Sequence, residues 1–122
     1  MTLEEKVNYL EQVVINHDPI SRIALIYNLD PNQIENIYQI FEKYFNMCNN
    51  NQSFTYSDVE ADFIKQMNID YQSLKGIILA FSDAGKYENV FWQYLKTNFQ
   101  SHGNVSSEYN ELFNRLKSRY NS

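Results

Sequence analysis

The sequence predicts an all-α fold, a multihelical bundle of about seven short helices with at most one short extended segment. Two observations carry that prediction. Helix-start signals recur along the chain at Thr2, Asp18, Asp30, Ser57 and Asp70, and each is followed by apolar residues at a period near 3.6. The chain has only three glycines and two prolines, and most of them fall where a helix starts or stops.

Thr2 with Glu5 has the spacing of a capping box, in which the threonine oxygen accepts a backbone N–H and the glutamate reaches back. Behind it Leu3, Val7, Leu10 and Val14 recur at steps of four, three and four, a narrow d/a seam suited to a partner helix. His17-Asp18-Pro19 breaks the pattern, with Asp18 as N-cap and Pro19 at the first helical position. Ile20, Ile23, Ala24 and Tyr27 form the face of a second helix. Asp30-Pro31 repeats the device and opens the longest helix, striped by Ile34, Ile37, Tyr38, Phe41, Tyr44, Phe45 and Cys48.

Asn49 to Gln52 reads as a loop, and Ser53 to Tyr56 as a brief extended piece. Ser57 with Glu60 offers a second capping box for a helix bearing Val59, Phe63, Ile64 and Met67. Asp70 caps a fifth helix whose face is Tyr71, Leu74, Ile77, Ile78 and Phe81, widened by Leu79 and Ala80, and Gly85 ends it. This helix is the expected centre of the core. The sixth, from about Lys86 to Phe99, has Tyr87, Phe91 and Tyr94 on one side and Trp92, Leu95 and Phe99 on another. Gly103 ends that region. Ser106 or Ser107 opens a last helix with Tyr109, Leu112, Phe113, Leu116 and Tyr120 in register.

A chain of 122 residues is one domain's worth, with residues 101–122 read as a C-terminal helical extension. Its longest apolar run, Ile77 to Phe81, is far below the roughly 20 residues of a membrane span. No apolar signal-type stretch follows Glu4, Glu5 and Lys6. The single cysteine, Cys48, excludes an intramolecular disulfide and suits a reducing cytoplasm. Sixteen asparagines and ten tyrosines read as the coding bias of an AT-rich genome, that of a low-GC bacterium or phage.

The net charge of −5 is uneven: residues 1–64 carry three basic and ten acidic side chains, residues 65–122 seven and five. An acidic chain is a poor general binder of phosphate backbones. The asymmetry suits bringing together two copies, or two halves of one copy.

No catalytic constellation is legible. His17-Asp18 has the look of a phosphohydrolase metal pair, but that chemistry needs further histidines and only His102 remains. Asp58, Glu60 and Asp62 alternate like the start of a calcium loop, whose sixth and twelfth positions need glycine and a carboxylate; here they are Phe63 and Ile69. Cys48 continues an apolar stripe and reads as an inert thiol. There is no Ser-His-Asp set and no glycine-rich phosphate loop. No catalytic residue, metal or cofactor is therefore assigned, and the chain is read as a non-enzyme. Arg115, Lys117 and Arg119 form a mildly basic C-terminal face with the potential to touch nucleic acid, a reading the net acidity disfavours. A helix-turn-helix over the second to fourth helices lacks a basic recognition helix.

Aromatics on two sides of the sixth helix imply that both are buried, one of them by a partner. The expected interface residues are accordingly Val7, Leu10, Val14, Trp92, Leu95 and Phe99, in a homo-oligomer.

The run from Ile23 to Phe99 resembles the YhaI-like family of uncharacterised small bacterial proteins. The marks are Ala24-Leu25-Ile26, the Ser53 to Tyr56 segment after the long helix, and Ala80-Phe81 leading through Gly85 to Tyr87. The resemblance implies a multihelical, oligomeric protein of low-GC Gram-positive bacteria or their phages, with no assigned activity and no functional residues to carry over. The expectation is a self-associating, non-catalytic interaction or regulatory protein that also binds an unknown cellular protein. Two alternatives stand beside it: a nucleic-acid-associated regulator using the basic C-terminal helix, and a phage-type inhibitor of a host enzyme.

Overall fold

The computed structural model describes residues 1–120, and among them every regular element is helical. The order is α1 (Leu3–Asn16), α2 (Pro19–Ile26), α3 (Pro31–Asn49), α4 (Tyr56–Met67), α5 (Tyr71–Asp83), α6 (Glu88–His102), a 3-10 turn (Ser107–Tyr109) and α7 (Asn110–Tyr120).

Four of the five expected caps are present. Thr2 and Glu5 form the box on α1, Asp18 caps α2, Asp30 caps α3 with Gln33 as its box partner, and Asp70 caps α5. The fourth start differs: α4 begins one residue before Ser57, and Thr55 is its N-cap. The Thr55 N–H donates to Asp58 Oδ2 at 2.9 Å, so the three-residue pair is Thr55 with Asp58 and not Ser57 with Glu60. Ser53 to Thr55 forms no strand. Its backbone is satisfied by side chains of α6 instead: Gln93 Nε2 donates to the Phe54 carbonyl at 3.1 Å, and the Tyr56 N–H donates to Thr97 Oγ1 at 2.8 Å. Phe54 is thereby pressed into the core against the Tyr44 ring.

Phe41 of α3 is the hub of that core. Its ring meets Phe63 of α4, Phe81 of α5 and Phe91 of α6 at centroid distances of 5.3, 5.2 and 5.1 Å. The latter two contacts are edge-on, the arrangement the ring quadrupoles favour. α5 is the most embedded helix, burying Leu74, Ile77, Ile78, Ala80, Phe81 and Ser82. Beyond it Gly85 takes φ +75°, and its N–H and that of Lys86 return to the Ser82 and Phe81 carbonyls.

Both sides of α6 are covered as its pattern requires, but the cover on the Trp92 side is α7 of the same chain. Leu95 is fully buried, Trp92 stacks on Phe113 and Tyr120, and Phe99 stacks on Phe113. The stretch from Tyr109 to Leu116 therefore belongs to the core, with Tyr109, Leu112, Phe113 and Leu116 buried. This corrects the expectation for Leu95, which is buried within the protomer, while Trp92 is half-buried and Phe99 keeps an exposed flank.

α2 and α5 approach closely at Gly76, where an added Cβ would fall on the Tyr27 hydroxyl. Alanine is the better helix former by about 1 kcal/mol, yet Gly76→Ala should lower the melting temperature because the Tyr27 ring has to move. Adding Tyr27→Phe should recover stability, since the hydroxyl makes the tightest contact. Thermal melts of the two single variants and the double variant measure that coupling.

Candidate functional site

α1 is the one helix that buries no residue completely. Tyr9 and Val13 are its half-buried positions against the body of the protein, and α2 is its main neighbour. The helix is well formed despite this. Thr2 donates its N–H to Glu5 Oε1 at 2.7 Å, and Glu5 returns its N–H to Thr2 Oγ1 at 3.1 Å. At the other end His17 adopts a left-handed conformation, φ 52°, and the Asp18 N–H reaches the Gln12 carbonyl. The predicted seam faces solvent: Leu3 is 77% exposed, Val7 43%, Leu10 51% and Val14 72%. Ile15 beside it is exposed as well.

The other candidates are committed to the fold. The Asp18 carboxylate receives the Ile20 and Ser21 N–H groups and, at 2.6 Å, the Ser21 hydroxyl, which leaves His17 an exposed cap. Asp58 holds Thr55. Glu60 accepts from the Tyr94 hydroxyl at 2.6 Å, and Asp62 accepts from Tyr44 and from Lys43. The three alternating carboxylates thus share no partner with one another. Among the described residues no three His, Cys, Asp or Glu side chains converge as a metal site would require. Burial pushes the half-exposed Cys48 thiol up, away from the thiolate form a nucleophile needs.

The basic face of α7 is likewise occupied. Arg115 donates to the buried Ser82 hydroxyl at 2.8 Å and pairs with Glu88, and Arg119 pairs with the same Glu88 carboxylate. Of the three residues expected to touch nucleic acid, Lys117 alone has no ion-pair partner among the described residues.

An open cleft of about 830 Å³ lies between α4, the start of α5, α6 and the start of α7. Amides and hydroxyls dominate its lining, among them Asn98, Asn104, Asn110 and Ser106, with Glu60 and His102 as its ionisable groups. The His102 Nδ1 lies 3.1 Å from the Asn98 carbonyl and its ring packs edge-on to Tyr56.

The sequence reading did not foresee the tyrosine–carboxylate pairs that lock the helices. Tyr44 meets Asp62 across α3 and α4, Tyr94 meets Glu60 across α6 and α4, and Tyr87 meets Glu42 at 2.6 Å just before α6. The excess of tyrosine was the signal, but spacing along the chain does not show which acid a ring will meet. Burial, then the acceptor carboxylate, holds the Tyr44 and Tyr87 hydroxyls far above their ordinary value. For Tyr94 burial leads again, followed by the adjacent Tyr109 and by Glu60. Partial burial pushes Asp62 up, but the Lys43 ammonium and the Tyr44 hydroxyl outweigh it and hold the carboxyl below the ordinary range.

The signs set both ends of the stability profile. Raised tyrosine values contribute stability that is complete below the unfolded value of about 10 and is lost as pH climbs from there through the folded values. The lowered Asp62 value contributes stability present above the unfolded carboxylate range of about 3.9 and lost as pH falls through the folded value. Alkaline titration should therefore show these tyrosines ionising together with loss of helical circular dichroism. Tyr44→Phe should shift that transition, and Asp62→Asn should flatten the acid limb.

No family model matches this chain, and no curated protein or solved structure matches it either.

Proposed function

We propose that this chain is a non-catalytic, self-associating interaction protein that works through α1, in the cytoplasm of a low-GC Gram-positive bacterium or its phage. The family resemblance in residues 23–99 suits the same reading. The observation that carries it is the exposed seam of Leu3, Val7, Leu10 and Val14 on a helix whose two ends are capped. Four apolar side chains on one line, left in water, are what a helix–helix contact leaves behind when its partner is absent. Leu95 drops out of the proposed interface because it is fully buried, and Trp92 and Phe99 already stack on rings of α7 within the protomer. The nucleic-acid alternative is weakened by Glu88, which holds two of the three cations it needs.

Size exclusion with light scattering should report a dimer or larger species that dissociates on dilution, since so short a seam buries little area. Leu10→Glu should shift the mass to monomer while leaving the melting temperature of the monomer close to that of the wild type. Leu10 is half exposed, so its replacement leaves the core intact. A wild type that stays monomeric at every concentration would overturn the reading.

A further inference from the structure

The α1 seam also specifies what covers it. Resting on the self-association just argued, we infer that the partner is a second copy of this chain, with the two α1 helices parallel and in register as a short two-stranded coiled coil.

The first argument is the choice of apolar residue. Leu3 and Leu10 occupy d positions, and Val7 and Val14 occupy a positions. β-branched residues at a with leucine at d favour the parallel two-stranded arrangement over higher oligomers. His17, the next d position, is the left-handed cap of α1, so the coil contains four layers and stops.

The second argument is charge. In this register Lys6 is a g position, and Glu4 and Glu11 are e positions. A parallel pair places each g residue beside the e residue of the following heptad on the other helix. Lys6 then meets the partner's Glu11, and symmetry supplies that ion pair twice. An antiparallel pair brings e against e, setting Glu4 against the partner's Glu11 twice and leaving Lys6 beside the partner's Val13. Like charges opposed in this way disfavour the antiparallel form.

The third argument is availability. Glu4, Lys6 and Glu11 are exposed, and within the chain none of them forms an ion pair among the described residues. Glu5 alone of the acidic residues in the first turn is engaged, by the Thr2 box. On α1 Tyr9 packs against the core and Val13 is half-buried, at c and g positions, while the a/d line of Leu3, Val7, Leu10 and Val14 stays exposed. Because α1 is already ordered by its caps and by α2, dimerisation does not have to fold it.

Disulfide trapping tests the orientation in a Cys48→Ser background, which removes the natural thiol. In a parallel, in-register pair, Leu3→Cys lies opposite itself and should cross-link under a glutathione redox buffer; Val14→Cys should do the same. In an antiparallel pair, residue 3 lies opposite residue 14, and the two copies of residue 3 are separated by about 16 Å along the axis, beyond the reach of a disulfide at about 7 Å. Cross-linking only when the two variants are mixed would overturn the parallel arrangement while leaving self-association intact.

Charge reversal gives an independent readout. Lys6→Glu should weaken the dimer by roughly tenfold in Kd, and Lys6→Glu combined with Glu11→Lys should restore it. If Lys6→Glu has no effect and Glu11→Lys alone tightens the dimer, the parallel register is wrong. A monomeric wild type, or a dimer that Leu10→Glu does not disturb, would remove the underlying reading and this inference together.

Discussion

A tyrosine that enters this core brings a hydroxyl that is costly to leave unpaired, and carboxylates of α3 and α4 are where three of those hydroxyls go, while that of Tyr109 has no partner among the described residues. Glu42 receives Tyr87, Glu60 receives Tyr94 and Asp62 receives Tyr44. Hydrogen bonds to a charged acceptor are roughly twice as strong as neutral ones, and a lost partner leaves a buried group unpaid. The aromatic rings around Phe41 fill the volume between helices, and the hydroxyl ends of their neighbours fix which turn of one helix faces which turn of the next. Tyr87 shows the strength of the constraint. It sits at φ 57°, a left-handed conformation unfavourable for a bulky residue, with its ring among Phe41, Phe45 and Phe81 and its hydroxyl on Glu42.

The same pairs give the charge asymmetry a physical meaning. Glu42 and Glu60 belong to the acidic half of the chain, and the tyrosines they accept belong to the other half. The halves therefore join through neutral hydroxyl donors, and the ion pairs among the described residues form within each half: Lys43 with Asp62, Lys75 with Glu108, Arg115 and Arg119 with Glu88. Much of the acidity of α3 and α4 is thus structural. The acidic residues of α1 other than Glu5 have no such internal use.

How far the sequence was legible follows from the range of each interaction. Caps at Thr2, Asp18, Asp30 and Asp70 act within three residues, so spacing alone reveals them. The start of α4 was misplaced because Thr55-Asp58 and Ser57-Glu60 both have the box spacing, and only the Tyr94 hydroxyl, distant in sequence, draws Glu60 away from a capping role. Ser53 to Tyr56 has the alternation of a strand, but its Phe54 carbonyl accepts from Gln93 and its Tyr56 N–H donates to Thr97, each about forty residues on, and Tyr56 opens α4. The two-sided pattern of α6 was read correctly as two-sided burial. The pattern does not show which segment covers the second side, and rings of the periodic stretch from Tyr109 to Tyr120 supply that cover from within the chain.

What remains at the surface separates α1 from the other helices. Ile26, Ile64, Tyr71 and Phe99 are exposed, but they lie on four different helices, and isolated apolar side chains are ordinary on a protein surface. Leu3, Val7, Leu10 and Val14 are exposed on one helix at regular steps of four and three, and α7 shows how this fold treats such a stripe when it has a use for it internally: Leu112 and Leu116 are buried. Because α1 buries nothing fully, its seam contributes little to the core around Phe41, and residues there are free to serve contacts outside the protomer. A helix capped at both ends, held against α2 on one side and left apolar on another, suits the attachment role proposed for it. On the proposed reading, stability and association are carried by different residues, so a substitution on the seam is expected to alter the partner contact without passing through the packing of the rings.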